Sequence, residues 1–238
     1  MHSTDMLEFS NMSTSPLPNS PMFELPLFPL NTVLFPGMPL HLHIFEERYK
    51  KMVQLCIERS VPFGVVLIRH GVEALGALAE PYSIGCTARI IEMEPLIEGR
   101  MNIVAVGQER FSTVILDSKK APFLTGIVQA FPLSDPDPQA IHDAGQRLKP
   151  WLKRYLGMLA ESESMEIEIP EIPDEPQTLA YLGAISLQVP NSEKQGFLSV
   201  ETTGDLLEKL SAAYRREVAL LGGMMNRKPG SIKSFSVN

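Results

Sequence analysis

The sequence predicts an α+β protein: a small β-barrel with one inserted helix over residues 23–134, followed by an α-helical subdomain over residues 135–223. Three observations carry this. Short apolar runs of strand length recur between Phe63 and Phe131, separated by turn residues, which is the rhythm of a small closed or nearly closed barrel. Ahead of them, Leu40, Leu42 and Ile44 alternate with His41, His43 and Phe45, and a helical face follows at once. Beyond about residue 135 the apolar period changes from two to nearly 3.6.

Residues 1–22 are rich in Ser, Asn, Thr, Pro and Met without periodicity, so they are expected to form a flexible tail. From Leu25 the character changes. Pro26 and Pro29 cannot donate ladder hydrogen bonds, which places LPLFPL at a sheet edge or strand start. Pro36-Gly37 suits the centre of a type II turn, the proline fixing one φ and the glycine accepting a positive one. Glu46 and Glu47 sit where a helix N-terminus favours negative charge, each with a lysine four residues on, at Lys50 and Lys51. Phe45, Tyr49, Met52, Val53 and Cys56 mark the helix's apolar face.

Strands are expected at Phe63–Arg69, Ile84–Met93, Met101–Val106, Arg110–Leu116 and Leu124–Phe131. Turn signals lie at Arg69-His70-Gly71, Glu98-Gly99 and Ala121-Pro122, and Gly107 suggests a bulge or tight bend. Ile141, Ala144, Leu148, Trp151, Leu152, Tyr155 and Leu159 recur at threes and fours, giving a helix over 138–160 with a kink at Pro150. The acidic, proline-punctuated run from Glu161 to Pro176 reads as a solvated connector. Helices follow at 177–189, 192–199 and 203–222, the middle one started by a capping box of Ser192 and Gln195. Residues 224–238 read as a loose tail.

Bulk properties exclude several classes. Of the 238 residues, 44% are hydrophobic and 21% charged, a soluble globular composition. No apolar run is long enough to cross a bilayer, and the N-terminus lacks the pattern of a signal peptide, so a cytoplasmic protein without membrane contact is expected. The formal charge of -7 opposes nonspecific nucleic-acid binding. Cys56 and Cys86 each fit as small buried hydrophobes, and neither a disulfide nor a zinc site is expected from them.

PLFPLNTVLFPGMPLHLHIFEERYKKM, then FGVVLI, IGCTARI, GRMNIVAVGQERF and FLTGIV, resemble the N-terminal, substrate-binding domain of the Lon proteases in its free-standing form. LAYLGAISLQVPNSEKQGFL is similar to the helical portion that follows, so the resemblance spans about residues 24–222. It implies a PUA-like barrel with a helical subdomain, and a role in binding polypeptide rather than cutting it. The ATPase and Ser-Lys peptidase modules of Lon are missing: no G-x-x-x-x-G-K-[ST] run occurs here.

Candidate sites weigh mainly toward structure. His41 and His43 share one side of a strand and could ligate a metal with Glu46, but solvent-facing or hydrogen-bonded histidines account for the same pattern. Tyr49 belongs to the apolar helical face, and Arg48 has the reach to tie that helix to a carboxylate or strand carbonyl. Gly99-Arg100 reads as a turn rather than a phosphate loop, since no helix follows to supply amides. Glu92 and Glu94 share a strand face, yet nothing in the sequence supplies a base partner or pocket.

The reading is a non-enzymatic protein-binding module or quality-control adaptor with a polypeptide partner and no cofactor or metal. Apolar side chains and free strand edges, together with a groove beside the helices, would grip extended chains. Leu25, Leu27, Phe28, Phe35 and Arg48 are the candidate peptide-binding residues, with barrel core as the competing account of the apolar four. Two other classes stay open: an RNA-binding protein of PUA-like type, and an enzyme with a cleft between barrel and helices.

Overall fold

A computed structural model describes residues 21–71, 80–163 and 172–225. Of the expected tails, 1–22 and 224–238, residues 1–20 and 226–238 lie outside the described residues, as does the middle of the acidic connector, 164–171; Met22 instead begins a strand, and Met224 and Met225 end a helix. The elements are β1 (Met22–Leu30), β2 (Pro39–Ile44), α1 (Glu47–Arg59), β3 (Phe63–His70), β4 (Glu80–Pro95), β5 (Met101–Asp117), β6 (Leu124–Ala130), α2 (Pro138–Glu163), α3 (Pro176–Ser186), α4 (Asn191–Leu198) and α5 (Thr203–Met225). Among the described residues the strands form one mixed, six-stranded sheet in the order β2-β5-β4-β3-β1-β6, and β5 also pairs with β6. The pairings β5-β4-β3-β1-β6-β5 therefore return to their starting strand. β2 lies outside that circuit and is held by β5 alone.

β5 makes the return possible. One strand spans Met101 to Asp117 where the sequence suggested two, because Gly107 does not end it. Its ladder with β4 skips a residue between Cys86↔Arg110 and Ala88↔Gly107, so the strand bulges at Gln108 and Glu109 and carries on. Thr87 fills the bulge: its hydroxyl accepts from the Glu109 amide at 3.0 Å and donates to the Glu109 carbonyl at 3.2 Å. Gly107 is there for closeness. A Cβ on it would meet the Phe35 carbonyl oxygen at 2.2 Å, and its own N–H and C=O bond Met38 and Gly37. The predicted Pro36-Gly37 turn is thereby pinned to β5, with Gly37 at φ +80° and the Met38 amide donating to Phe35 at 3.0 Å.

β1 corrects an expectation. It is not an edge strand, for it runs antiparallel to β6 over Met22–Leu27 and parallel to β3 over Leu27–Leu30. Pro26 falls where only β6 is paired and Pro29 where only β3 is, so at each proline only one side of β1 carries a ladder, the tolerance that an edge position gives. The strand is central while each half keeps the tolerance of an edge.

α1 packs its apolar face against the sheet, burying Tyr49, Met52, Val53 and Cys56 with Phe28, Phe63 and Ile103. Phe45, expected on that face, precedes the helix and is exposed. The expected i,i+4 pairs are replaced by Glu47 with Lys50 at 2.8 Å and Glu46 with Arg48 at 2.9 Å. Lys50 also donates to the Glu98 carbonyl at 2.9 Å, tying α1 to the β4-β5 hairpin, whose turn places Glu98 and Gly99 at positive φ as their sequence suggested.

The helices form a second layer. α2 and α5 lie together, with α3 against both, and α2 runs through Pro150 as one helix. Their core takes in Phe35, Leu67, Ile84 and Phe131 from the sheet region, so helices and sheet share one packed seam. Polar groups fasten it. Arg110 donates through Nη1 to the carbonyls of Leu198 at 2.6 Å and Val200 at 2.7 Å, at the C-terminal end of α4, and its guanidinium lies 4.7 Å from the Phe131 ring centroid. Gln195 donates to the Ile84 carbonyl at 3.1 Å. That engagement explains why the Ser192–Gln195 capping box does not form: α4 starts from Pro190 without a side-chain cap.

Candidate functional site

A large hollow lies at the C-terminal end of α1. It encloses about 600 Å³ between the start of β1 (Phe23 to Pro26), the last turns of α1 (Leu55, Arg59), Val61-Pro62, and the β5–β6 connection with Ala121 and Phe123. Leu25 and Phe123 are buried in its floor, while Phe23 stands 42% exposed at the rim. The walls are predominantly apolar. Its polar rim is made by Arg59, by Thr125, and by Lys120 paired with Glu24 at 2.6 Å; among the described residues Arg59 has no ion-pair partner.

The local sequence shapes this hollow through the end of α1. Ser60 takes the left-handed conformation, φ 52° and ψ 36°; the Ser60 amide donates to Ile57 at 3.2 Å and the Val61 amide to Cys56 at 3.0 Å. This pair of bonds closes the helix as a Schellman motif, with Ser60 as its left-handed residue. Pro62 then prevents its resumption, and Val61 is turned outward, 39% exposed. Val61 also borders a second hollow of about 280 Å³, whose other wall is Arg89 to Met93 of β4. Ile57, Ile91 and Met93 are exposed there. β3 pairs with β4 no further than Ala88, so among the described residues β4 beyond Ala88 has β5 on one side and no strand on the other. Val61 is thus the crest between an apolar groove and a free strand edge.

The candidates named from sequence are distributed differently. Leu27 and Phe35 have no measurable exposure and Leu25 and Phe28 almost none, so none of the four is a free contact surface. The reason is the position of β1 between two strands, and for Phe35 the clamp of Gly107. Leu25 alone reaches the groove, as floor. Arg48 does not line it. The Arg48 guanidinium is held by Glu46 and lies 4.6 Å from the Tyr49 ring, which stacks on Phe28 at 4.0 Å, so it ties α1 to a carboxylate.

His41 and His43 border a hollow of about 250 Å³ with Phe28 and Tyr49. Nδ1 of His43 is 2.8 Å from Asn102 Oδ1, and Asn102 donates to Glu94 at 3.0 Å; the structure does not bring His41, His43 and Glu46 together as a ligand set. Among the described residues no group of three or more His, Cys, Asp or Glu could hold a metal ion, and no helix is long and apolar enough to cross a membrane. The two cysteines are free and buried. Burial pushes the Cys56 thiol up to about 11 and the Cys86 thiol up to about 12, the wrong direction for a nucleophile.

The sequence reading missed Phe23, Ile57, Val61, Ile91 and Met93. One signal was available: Ser60-Val61-Pro62 places an apolar residue between a helix end and a proline, where little can bury it.

The mixed six-stranded sheet with its helical layer is shared with solved Lon N-terminal domains. A Lon N-terminal domain protein from Xanthomonas campestris matches 80% of this chain and 98% of its own at TM-score 0.57 and 24% identity. The N-terminal domain of a Mycobacterium avium complex Lon protease matches 81% of this chain and 98% of its own at TM-score 0.61 and 17% identity. Residues 24–213 match the ATP-dependent protease La (LON) substrate-binding domain, and the chain belongs to that family. Its relatives include Lon protease 2 of Myxococcus xanthus, 29% identical over 73% of this chain and 21% of that protein. Lon protease of Anaeromyxobacter dehalogenans is 26% identical over 88% of this chain and 24% of its length. The chain thus spans about a fifth to a quarter of these relatives.

Proposed function

We propose that this chain is a non-catalytic polypeptide-binding module in which the two hollows flanking Val61 receive extended apolar segments of other proteins. The observation that carries this is the groove of about 600 Å³ with Phe23, Leu25, Val61, Pro62 and Phe123 in its walls. Its predominantly apolar lining with a sparse polar rim suits hydrophobic side chains held by burial. On either side of its bulge at Ile91, the β4 edge between Arg89 and Met93 offers backbone N–H and C=O groups to the same extended segment. Membership of a family named for substrate binding supports the reading.

On this reading the closed circuit of strand pairings is a small barrel of PUA-like type, and residues 23–134 and 135–223 are two folding units joined at the seam. The chain acts as a cytoplasmic adaptor in protein quality control. Binding of a labelled peptide alternating Phe and Ser, followed by fluorescence anisotropy, tests it. Val61→Asp places a charge on the crest and should weaken binding at least about tenfold with an unchanged melting temperature. Unaltered affinity in that variant refutes the groove as the site.

A further inference from the structure

We propose that residues 1–20 carry a built-in competitor for the groove, the stretch Met6-Leu7-Glu8-Phe9, which occupies the hollow beside Val61 and must leave before an outside polypeptide enters. This rests on the groove being a polypeptide site, and it adds regulation from within the chain.

Connectivity comes first. The described chain opens at Pro21, and within two residues Phe23 is already a wall of the groove. Met22 and Phe23 are 63% and 42% exposed, so the N-terminal twenty residues are tethered at the groove's own rim. Fourteen residue steps separate Phe9 from Phe23. At ~3.3–3.6 Å per residue they reach up to roughly 45–50 Å, several times the width of a hollow this size.

Chemistry comes second. Met6 to Phe9 is the most concentrated apolar stretch of residues 1–20. In extended form Leu7 and Phe9 point to one face and Glu8 to the other. The apolar pair then meets walls of Leu25, Val61 and Phe123 while Glu8 meets Arg59 on the rim. Residues 1–20 contain Asp5 and Glu8 and no Lys or Arg, and the rim supplies Arg59, without an ion-pair partner among the described residues, beside the Lys120–Glu24 pair.

Tethering comes third. A tether of this length gives an effective concentration on the order of 1 mM. A segment whose free affinity is only ~0.1–0.3 mM would then reduce the apparent affinity for an outside peptide by a factor of one plus their ratio, roughly 4–11.

The test uses the full chain, the double variant Leu7→Asp with Phe9→Asp, and the Val61→Asp groove variant, each titrated with the labelled Phe/Ser peptide. A second arm places a benzophenone photo-crosslinker at Phe9 in the full chain. The expected result is a roughly 4–11-fold gain in affinity for the tail variant, and a crosslink within one chain to groove residues that Val61→Asp abolishes. Equal affinities with no such crosslink overturn the proposal and leave the groove's function standing. Crosslinks between two chains overturn it in favour of a second copy as occupant. A crosslink within the chain, with no form binding the labelled peptide, supports the contact and overturns the reading of the groove as a site for other proteins.

Discussion

Arg110 offers the sharpest test of how the helical layer is held to the sheet. Arg110→Ala removes two hydrogen bonds from one buried charged group to the Leu198 and Val200 carbonyls, at 2.6 and 2.7 Å, each worth ~1.5–3 kcal/mol. It also removes the guanidinium beside the Phe131 ring, worth ~0.5–2 kcal/mol. Against that gross loss of roughly 4–8 kcal/mol stands relief of the guanidinium's desolvation, several kcal/mol. That desolvation penalty is real here, because burial lowers the Arg110 pKa against the opposing pull of the Tyr181 hydroxyl, and among the described residues Nε and Nη2 have no hydrogen-bond partner within bonding distance. The expected net cost is about 2–4 kcal/mol, a fall of roughly 1–2 M in the urea midpoint. Trp151 on α2 is the only tryptophan, so its fluorescence reports the helical layer specifically, with far-UV circular dichroism as the whole-chain reference. Arg110→Met separates bonding from volume. If it unfolds with the wild-type midpoint, the guanidinium is merely filling space and the latch is refuted.

Gly107→Ala should lose about 1–3 kcal/mol by crowding the Phe35 backbone, whereas Gly157→Ala in α2, whose Cβ would meet nothing within 4 Å, should gain ~0.5–1 kcal/mol; thermal melts of the pair compare them. Burial alone would raise the Glu175 carboxyl, but the capping bonds to Thr178 and Gln177 hold it below its ordinary 4.5. The folded chain thus binds this proton less readily than the unfolded one, and the cap's contribution is complete above about pH 5 and fades as pH falls through the lowered folded value. Glu175→Ala should cost ~1 kcal/mol at pH 7 and progressively less below pH 4.5 in urea titrations. With both thiols pushed up by burial, iodoacetamide at pH 8 should leave Cys56 and Cys86 unmodified in the native chain and alkylate both in urea, as read by mass spectrometry; rapid native labelling of either contradicts its placement.

Much of the fold was legible because local chemistry and tertiary packing agree. The period-two alternation of β2, the Pro36-Gly37 turn and the apolar faces of α1 and α2 each have a cause within a few residues, and each reappears. What was not legible depends on distant partners. Gly107 suggested a bulge or tight bend, and a bulge does fall beside it; that the strand runs on past it was illegible, because the glycine's requirement comes from Phe35, more than seventy residues earlier. Pro26 and Pro29 looked like an edge, since no local pattern announces that β1 changes neighbours at Leu27. The burial of Leu25, Leu27, Phe28 and Phe35 was illegible for a related reason: all four are apolar, and apolarity does not say which side chains a second strand or a crossing glycine will cover. Val61 and Phe23 owe their exposure to a helix cap and a rim position, both properties of the assembled chain.

The register slip in β4 between Ile90 and Glu92, opposite Ala105 and Val104, has a bearing on self-association. A straight, unpartnered β4 edge would invite an identical edge from another molecule to zip against it and seed a growing fibre. The kink at Ile91, followed by Glu92 and Glu94, breaks the straight run of donors and acceptors and sets like charges face to face if two such margins meet. Straightening that margin by deleting Ile91 and replacing the two acids with Thr would be expected to convert a well-behaved solution into thioflavin-positive aggregate.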